Sequence, residues 1–323
     1  MAPPTLILAD PLPDLFGELT EHQFDIRPLA SKPASLSAAE RSQVRGLFSY
    51  GHFPVDGRLM DQYPGLAVIS NHGVGVDHID VNAAAARGIP VGNTPGCLDQ
   101  ATADHTLALL LATARNVVTG DQFARSPQFD RYDPAILLGT EVSGQTIGIV
   151  GMGRIGTEVA RRAAAFGMSI CYHNRSPRPE VEDELSARYM TLEDLLRSAD
   201  FVVLNCPLTA ATTGLIDSAA LRTMKSTAIL INMARGGVVV TDDLCTALET
   251  GEIRAAGLDV TEPEPLPREH RLLRLTNVVL TPHLGSATLQ TRRRMMSRAI
   301  ENLRAGLDGQ PLPFPVAAEP TRS

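Results

Sequence analysis

The run Thr146-Ile-Gly-Ile-Val-Gly151-Met-Gly153-Arg154-Ile155-Gly156 constrains this chain more than any other stretch. Thr146–Val150 reads as a strand, Thr157–Phe166 carries helical spacing, and three glycines stand at the junction. Such glycines allow a tight turn at Gly151, a main chain that a pyrophosphate can approach at Gly153, and close helix–strand packing at Gly156. The helix start, with Arg154 and Ile155 in its first turn, directs N–H groups and a positive dipole end at phosphates. Glycine spacing alone recurs by chance; the strand before it and the helix after it give it meaning. The turn predicts a dinucleotide-binding strand–helix–strand unit.

The rest of the chain repeats this alternation. Candidate strands are Leu6–Ala9, Gly46–Ser49, Leu66–Ser70 and Ile89–Gly92, then Thr146–Gly151, Ser169–His173, Phe201–Asn205, Ala228–Asn232, Ala255–Asp259 and Val278–Thr281. The later ones are continuous apolar runs, the pattern of parallel strands covered on both faces by helices. Strands alternating with helices predict an α/β protein with doubly wound sheets. Ala101–Val118 reads as one long helix, apolar on most of its circumference, and so buried between domains or against a second subunit. Thr119–Val142, with Pro127 and Pro134 and little periodicity, reads as an exposed arm, and Ala287–Leu307 as a second long helix. A length of 323 residues suggests about two domains. The expected division is 1–100 plus 287–323 for a discontinuous first domain and 101–286 for the domain inserted into it.

Charge and composition remove some classes of function. A net charge of −7 disfavours nucleic acid or an anionic membrane as partner. No Lys or Arg precedes Arg27, the longest apolar run (Leu107–Ala114) is well short of the roughly 20 residues of a membrane span, and the final Thr321-Arg322-Ser323 lacks a peroxisomal ending. Cys97, Cys171, Cys206 and Cys245 are scattered without a CxxC pair and read as reduced thiols. The expectation is a cytoplasmic enzyme or binding protein. The histidines outside the constellation below, His22 among them, show no metal-ligand spacing, and no metal site is expected.

Cofactor choice turns on the end of the second strand, where a carboxylate ordinarily receives the ribose hydroxyls of NAD. Here that place holds Asn174, followed by Arg175, Ser176 and Arg178. A carboxylate would repel a 2′-phosphate; an amide does not, and the two arginines and the serine can donate to it. NADP(H) is the expected cofactor, with NAD(H) the alternative. The same residue types also make ordinary solvated turns.

Three charged residues follow later strands of the same set: Arg235 after Ile229–Asn232, Glu264 after Gly257-Leu-Asp259-Val-Thr-Glu-Pro263, and His283 after Val279-Leu-Thr-Pro282. Open α/β sheets place ligands at such strand ends. A Glu beside a His favours the imidazolium, which can hand a proton to a carbonyl oxygen while a nicotinamide delivers hydride to the carbon. An Arg beside them supplies the planar donor that a 2-oxo acid needs. Each residue alone also has a structural explanation, as a helix cap, a loop charge or a core histidine.

The motifs Gly151-x-Gly153-x-x-Gly156, Asn232-Met-Ala-Arg235-Gly236-Gly237, Gly257-Leu-Asp-Val-Thr-Glu-Pro-Glu264-Pro and Thr281-Pro-His283-Leu-Gly285-Ser286-Ala resemble the D-isomer-specific 2-hydroxyacid dehydrogenase family. So do Ser70-Asn-His-Gly73-Val-Gly75-Val-Asp-His-Ile-Asp80 and Asn93-Thr-Pro-Gly96. They run in family order over nearly the whole chain. Glu264-Pro-Leu-Pro267 and Asn174-Arg-Ser176 look most like the glyoxylate/hydroxypyruvate reductase branch. The resemblance implies two doubly wound domains, a flavodoxin-like discontinuous substrate domain and an inserted Rossmann dinucleotide-binding domain. It implies that Arg235 binds and orients the substrate, that His283 is the general acid, and that Glu264 tunes it. The loop Asn71-His72-Gly73-Val74-Gly75 would offer its amides to the substrate carboxylate. Asp259 is expected at the nicotinamide carboxamide, with Cys206-Pro207, Thr212, Met233, Gly285 and Ser286 around the cofactor. The partners implied are a small 2-oxo acid and a second copy of the chain, joined through the cofactor domains.

One departure stands out: Met233 occupies the place of the family's usual Thr or Ser before Ala-Arg-Gly. His52, in Ser49-Tyr-Gly-His52-Phe53-Pro, follows a first-domain strand and either shapes substrate choice or packs in a loop. The expected activity is NADPH-driven reduction of a glyoxylate- or hydroxypyruvate-type 2-oxo acid to the D-2-hydroxy acid. The alternatives are a 2-ketogluconate or other 2-oxo acid reductase and, in a different class, a non-enzymatic NAD(P)H-sensing protein like the family's corepressors.

Overall fold

The computed structural model describes residues 6–9, 24–28 and 36–318; His22 and the Thr321–Ser323 terminus fall outside them. The chain divides into two compact units, Met1–Leu98 with Thr288–Ser323, and Asp99–Ala287. Both are built on all-parallel sheets. This agrees with the two doubly wound domains expected from the sequence.

The sheet of the first unit contains β1 (Leu6–Ala9), β2 (Asp25–Pro28), β3 (Val44–Ser49), β4 (Val68–Asn71) and β5 (Val91–Gly92), in the order β2-β1-β3-β4-β5. That is the flavodoxin-like order, with its switch point between β1 and β3. Sequence patterning missed β2: Asp-Ile-Arg-Pro has one large aliphatic residue and ends in Pro, which suits an edge strand and leaves no apolar run. The helix Leu289–Leu307 lays Met296, Ala299, Ile300 and Leu303 against Phe48 and Val68, and its Ala299 carbonyl accepts from the buried Ser70 hydroxyl at 2.8 Å. Burying four such side chains stabilises this face by several kcal/mol.

The second unit carries β6 (Thr146–Val150), β7 (Ser169–His173), β8 (Arg188–Tyr189), β9 (Phe201–Leu204), β10 (Ile229–Asn232), β11 (Ala255–Leu258) and β12 (Val278–Leu280), in the order β12-β11-β10-β9-β6-β7-β8. The strand order reverses between β6 and β9, which is where such sheets open a crevice for ligands. Phe201–Leu204 and Ile229–Asn232 are buried at every position, as their continuous apolar sequence requires.

Two expectations about the connecting segments need correction. The helix expected over 101–118 spans Asp99–Ala114; within its own unit it packs on the helix Arg154–Ala165 and on β10, β11 and β12. Asn116 then takes a left-handed conformation at φ 54° and breaks it, a position Asn tolerates better than most residues. A separate helix follows, Val117–Ala124, so the arm expected to be irregular from Thr119 begins helical; residues 125–145 form neither helix nor strand. No helix among the described residues is long and apolar enough to cross a membrane.

Candidate active site

The glycine turn lies at the reversal of the second sheet. Gly151 sits at φ 100°, and a Cβ there would come within 2.6 Å of the Cys206 amide nitrogen; a Cβ on Gly156 would come within 2.2 Å of the Gly151 carbonyl oxygen. No side chain larger than hydrogen fits at either place. Gly153, by contrast, faces open space and N-caps the helix Arg154–Ala165 without a side-chain cap, so its first N–H groups are left for another acceptor. Arg154 is exposed and Ile155 half-buried at that helix start. Beside the turn, Nδ2 and Oδ1 of Asn205 are both buried without a hydrogen-bond partner. A buried amide at a strand end wants one, and the pyrophosphate and nicotinamide side of a dinucleotide offers donors and acceptors. The residues present fit that group.

The segment after β7 is more tightly committed than its sequence suggests. Asn174 Oδ1 accepts the Met152 N–H at 3.0 Å, and Arg178 Nη1 donates to the Met152 carbonyl at 2.9 Å while Nε pairs with Glu180. The Tyr172 hydroxyl takes the Arg178 N–H at 2.6 Å and donates to Glu182. Asn174 and Arg178 thus hold the N–H and the carbonyl of Met152, in the two successive peptides in the middle of the glycine turn. Arg175 and Ser176 remain exposed.

On the other side of the switch point, Cys206 is buried, and burial pushes its thiol up to about 11, so it is an inert wall of the turn. Pro207 is exposed; its carbonyl accepts from the Thr212 hydroxyl at 2.6 Å, which closes the 207–212 loop. Met233 is buried, its Cε within 3.3 Å of where a Cβ on Gly285 would stand. Gly285 and Ser286 are buried as well.

Arg235, Glu264 and His283 come from the C-terminal ends of β10, β11 and β12, three neighbours in the sheet. Asn232 fixes the Arg235 turn: its Oδ1 accepts the Ala234 N–H at 3.0 Å and its Nδ2 donates to the Arg235 carbonyl at 2.9 Å. His283 Nδ1 and Glu264 Oε1 are 2.8 Å apart, with the two side chains 31% and 32% exposed. The carboxylate accepts the Nδ1 proton, which leaves Nε2 as the nitrogen that can exchange a proton with a bound molecule. His283 stands at φ 58°.

Asp259, at the end of β11, is 2% exposed. Burial pulls its carboxyl upward, but hydrogen bonds from His105, Thr281, and the Leu284 and Gly285 amides outweigh this and hold it below the usual carboxylate range. His105 and Thr281 were not singled out by sequence reasoning. His105 stands between Asp104 and Thr106 in the polar first half of its helix, where nothing in the sequence set it apart.

The remaining candidates belong to the first unit. Asn71 Nδ2 donates to the carbonyls of Gly73 and Gly75 at 3.2 and 2.9 Å, Asn93 Nδ2 to Val74 at 2.8 Å, and the Thr94 N–H to Gly73 at 3.1 Å. In a trans peptide the N–H opposes the C=O, so the amides of Val74, Gly75 and Val76 point away from these side chains. His72 is buried beside Phe48 and Tyr50, with Nε2 3.4 Å from the Arg292 carbonyl. Burial lowers its pKa to about 4 against the pull of that carbonyl, so its ring is neutral core packing. His52 is exposed, edge-on to His78 at 5.6 Å between ring centroids.

Residues 107–285 match the family model described as D-isomer specific 2-hydroxyacid dehydrogenase, NAD binding domain. The glyoxylate reductase of Pyrococcus horikoshii is 43% identical over 314 residues, 95% of this chain and 94% of that protein. That of Thermococcus kodakarensis is 44% identical over 323 residues, 98% and 97%. Among solved structures, the NADPH-dependent glyoxylate/hydroxypyruvate reductase of Sinorhizobium meliloti in complex with NADP and malonate superposes with a TM-score of 0.89 at 36% identity, covering 97% of each chain. With the glycine turn, the strand-end Arg, Glu and His, and this likeness over nearly its full length, the chain belongs to the D-isomer-specific 2-hydroxyacid dehydrogenase family and is an NAD(P)-dependent dehydrogenase.

Proposed function

We propose that this dehydrogenase reduces a small 2-oxo acid of the glyoxylate or hydroxypyruvate type to the D-2-hydroxy acid, with NADPH preferred over NADH. The observation that carries the reading is the 2.8 Å His283–Glu264 pair, which follows β12 and β11 as Arg235 follows the neighbouring β10. The nicotinamide, when bound, supplies the hydride. Arg235, whose Nη1 also donates to the Ala234 carbonyl at 2.9 Å, supplies the guanidinium that binds the carboxylate and the carbonyl oxygen, which orients the substrate and draws electron density from C2. His283 gives its Nε2 proton to the oxygen as negative charge develops there, and Glu264 stabilises the imidazolium before transfer and holds the ring in place after it. The amides of Val74, Gly75 and Val76, in the first unit, are donors of a kind suited to a carboxylate.

Four features support the cofactor preference: a neutral amide at Asn174, the exposed Arg175 and Ser176, and the NADP held by the Sinorhizobium relative. A homodimer is supported by the apolar side chains of the arm, where Phe129 is 49%, Tyr132 82% and Leu138 68% exposed. Following the absorbance of NADPH and of NADH with glyoxylate, hydroxypyruvate, 2-ketogluconate and pyruvate tests the whole reading. Turnover is expected with the first two substrates and faster with NADPH. Absence of turnover with all four, under conditions where NADPH binds, would favour a sensing role instead.

A further inference from the structure

Three successive amides converge on one residue. The His283 N–H donates to the Asp259 carbonyl at 2.9 Å, the Leu284 N–H to Asp259 Oδ1 at 2.7 Å, and the Gly285 N–H to Asp259 Oδ2 at 2.8 Å. A left-handed residue between right-handed or extended neighbours is one way to turn consecutive N–H groups inward together, and His283 stands there at φ 58°. A non-glycine residue in that conformation is held there by its surroundings, and the surroundings here are the Asp259 carboxylate and carbonyl. The side chain bonded to Glu264 therefore depends on where Asp259 sits.

Asp259 is in turn oriented from the helix Asp99–Ala114. The Thr281 hydroxyl lies 2.6 Å from Asp259 Oδ1, and His105 Nε2 lies 3.2 Å from Thr281 Oγ1 and 3.3 Å from Asp259 Oδ1. An ionised carboxylate can only accept, so Thr281 gives its proton to Asp259 and its oxygen accepts from His105 Nε2–H. We infer that His105 is a positioning residue for the proton donor: through Thr281 and Asp259 it secures the left-handed turn that presents His283. The inference rests on His283 acting as that donor. It gives His105 no contact with substrate, and it gives Asp259 a duty besides any it has toward the cofactor.

The test uses the full-length protein with His105→Ala and His105→Gln, whose amide places an N–H near the position of Nε2. In His105→Ala, hydrogen exchange at the peptide spanning residues 282–286 is expected to quicken, and kcat for glyoxylate to fall about tenfold as the donor loosens. The solvent deuterium isotope effect on kcat should rise, and the dissociation constant for NADPH should stay within about twofold, since the glycine turn is untouched. His105→Gln should recover most of the kcat and the slow exchange. Wild-type exchange in His105→Ala overturns the inference. So does quickened exchange with unchanged kcat, and so does equal impairment of the Ala and Gln variants. His283→Ala, run alongside, separates the two claims: if it still turns over, the donor assignment fails, and the exchange measurements alone decide whether His105 secures the loop.

Discussion

At His283 the chain accepts a left-handed backbone, at a cost of order 1–3 kcal/mol, to set an imidazole 2.8 Å from a carboxylate. On the proposed mechanism, removing the ring removes the proton donor and leaves the glycine turn alone. His283→Ala is expected to lower kcat by about 10²–10⁴-fold while NADPH affinity, read by fluorescence titration, stays near wild type; an unaltered kcat would exclude the role. His72 is a histidine of the opposite kind. Its pKa falls from 6.5 to about 4 on folding, so the unfolded chain binds the extra proton between those values and stability drops as pH falls through that window. The loss between pH 7 and pH 4.5 is about 2–3 kcal/mol. His72→Gln should flatten that part of the dependence in urea titrations, and an unchanged slope would show that other groups carry it. From sequence, both histidines stood in family motifs and were equally prominent. What separates them is burial, which depends on Phe48, Tyr50 and the helix carrying Arg292, far apart in the chain. For the same reason His105 was passed over: its partners Thr281 and Asp259 are more than 150 residues away.

Among elements, the strands with continuous apolar runs were legible to within one or two residues, because a strand buried on both faces has almost no other composition open to it. The edge strands β2 and β8 had no such signature; Arg188–Tyr189, exposed at both positions, is a strand only because β7 lies beside it. The cofactor segment was legible as chemistry but not as geometry. Residues 174–178 announced an affinity for phosphate, yet two of them hold the Met152 main chain instead. That division of labour predicts two kinds of binding defect. Asn174→Ala removes one hydrogen bond to the glycine turn, worth about 1 kcal/mol, and should weaken NADPH and NADH alike by about fivefold. Arg175→Ala should weaken NADPH by tenfold or more and leave NADH nearly unchanged. Fluorescence titration of both cofactors against both variants reads the difference directly. A purely NADPH-selective loss in Asn174→Ala would mean that its amide serves the phosphate after all.

Across the whole molecule, alternation told that the sheets are parallel, but the order of strands within them required the crossovers, since β9 lies beside β6 only after the chain has gone out to β8 and returned. The arm raises a question of another sort. Val117, Val118, Phe129, Tyr132, Leu137 and Leu138 are all at least 40% exposed, within a stretch of 22 residues that ends in irregular backbone. A soluble monomer seldom presents so many large apolar side chains together, and burying them against a second copy would return about 25 cal/mol for each Å² removed from water. An isologous interface counts every such residue twice, so two charges placed in it are felt four times. Tyr132→Asp with Leu138→Asp is therefore expected to convert a dimer to a monomer in sedimentation equilibrium. A dimer also links folding to association, so the Tm of the wild type should rise with protein concentration while that of the double variant should not. A wild type that sediments as a monomer with a concentration-independent Tm would remove the second copy from the account, and the arm would then need some other cover.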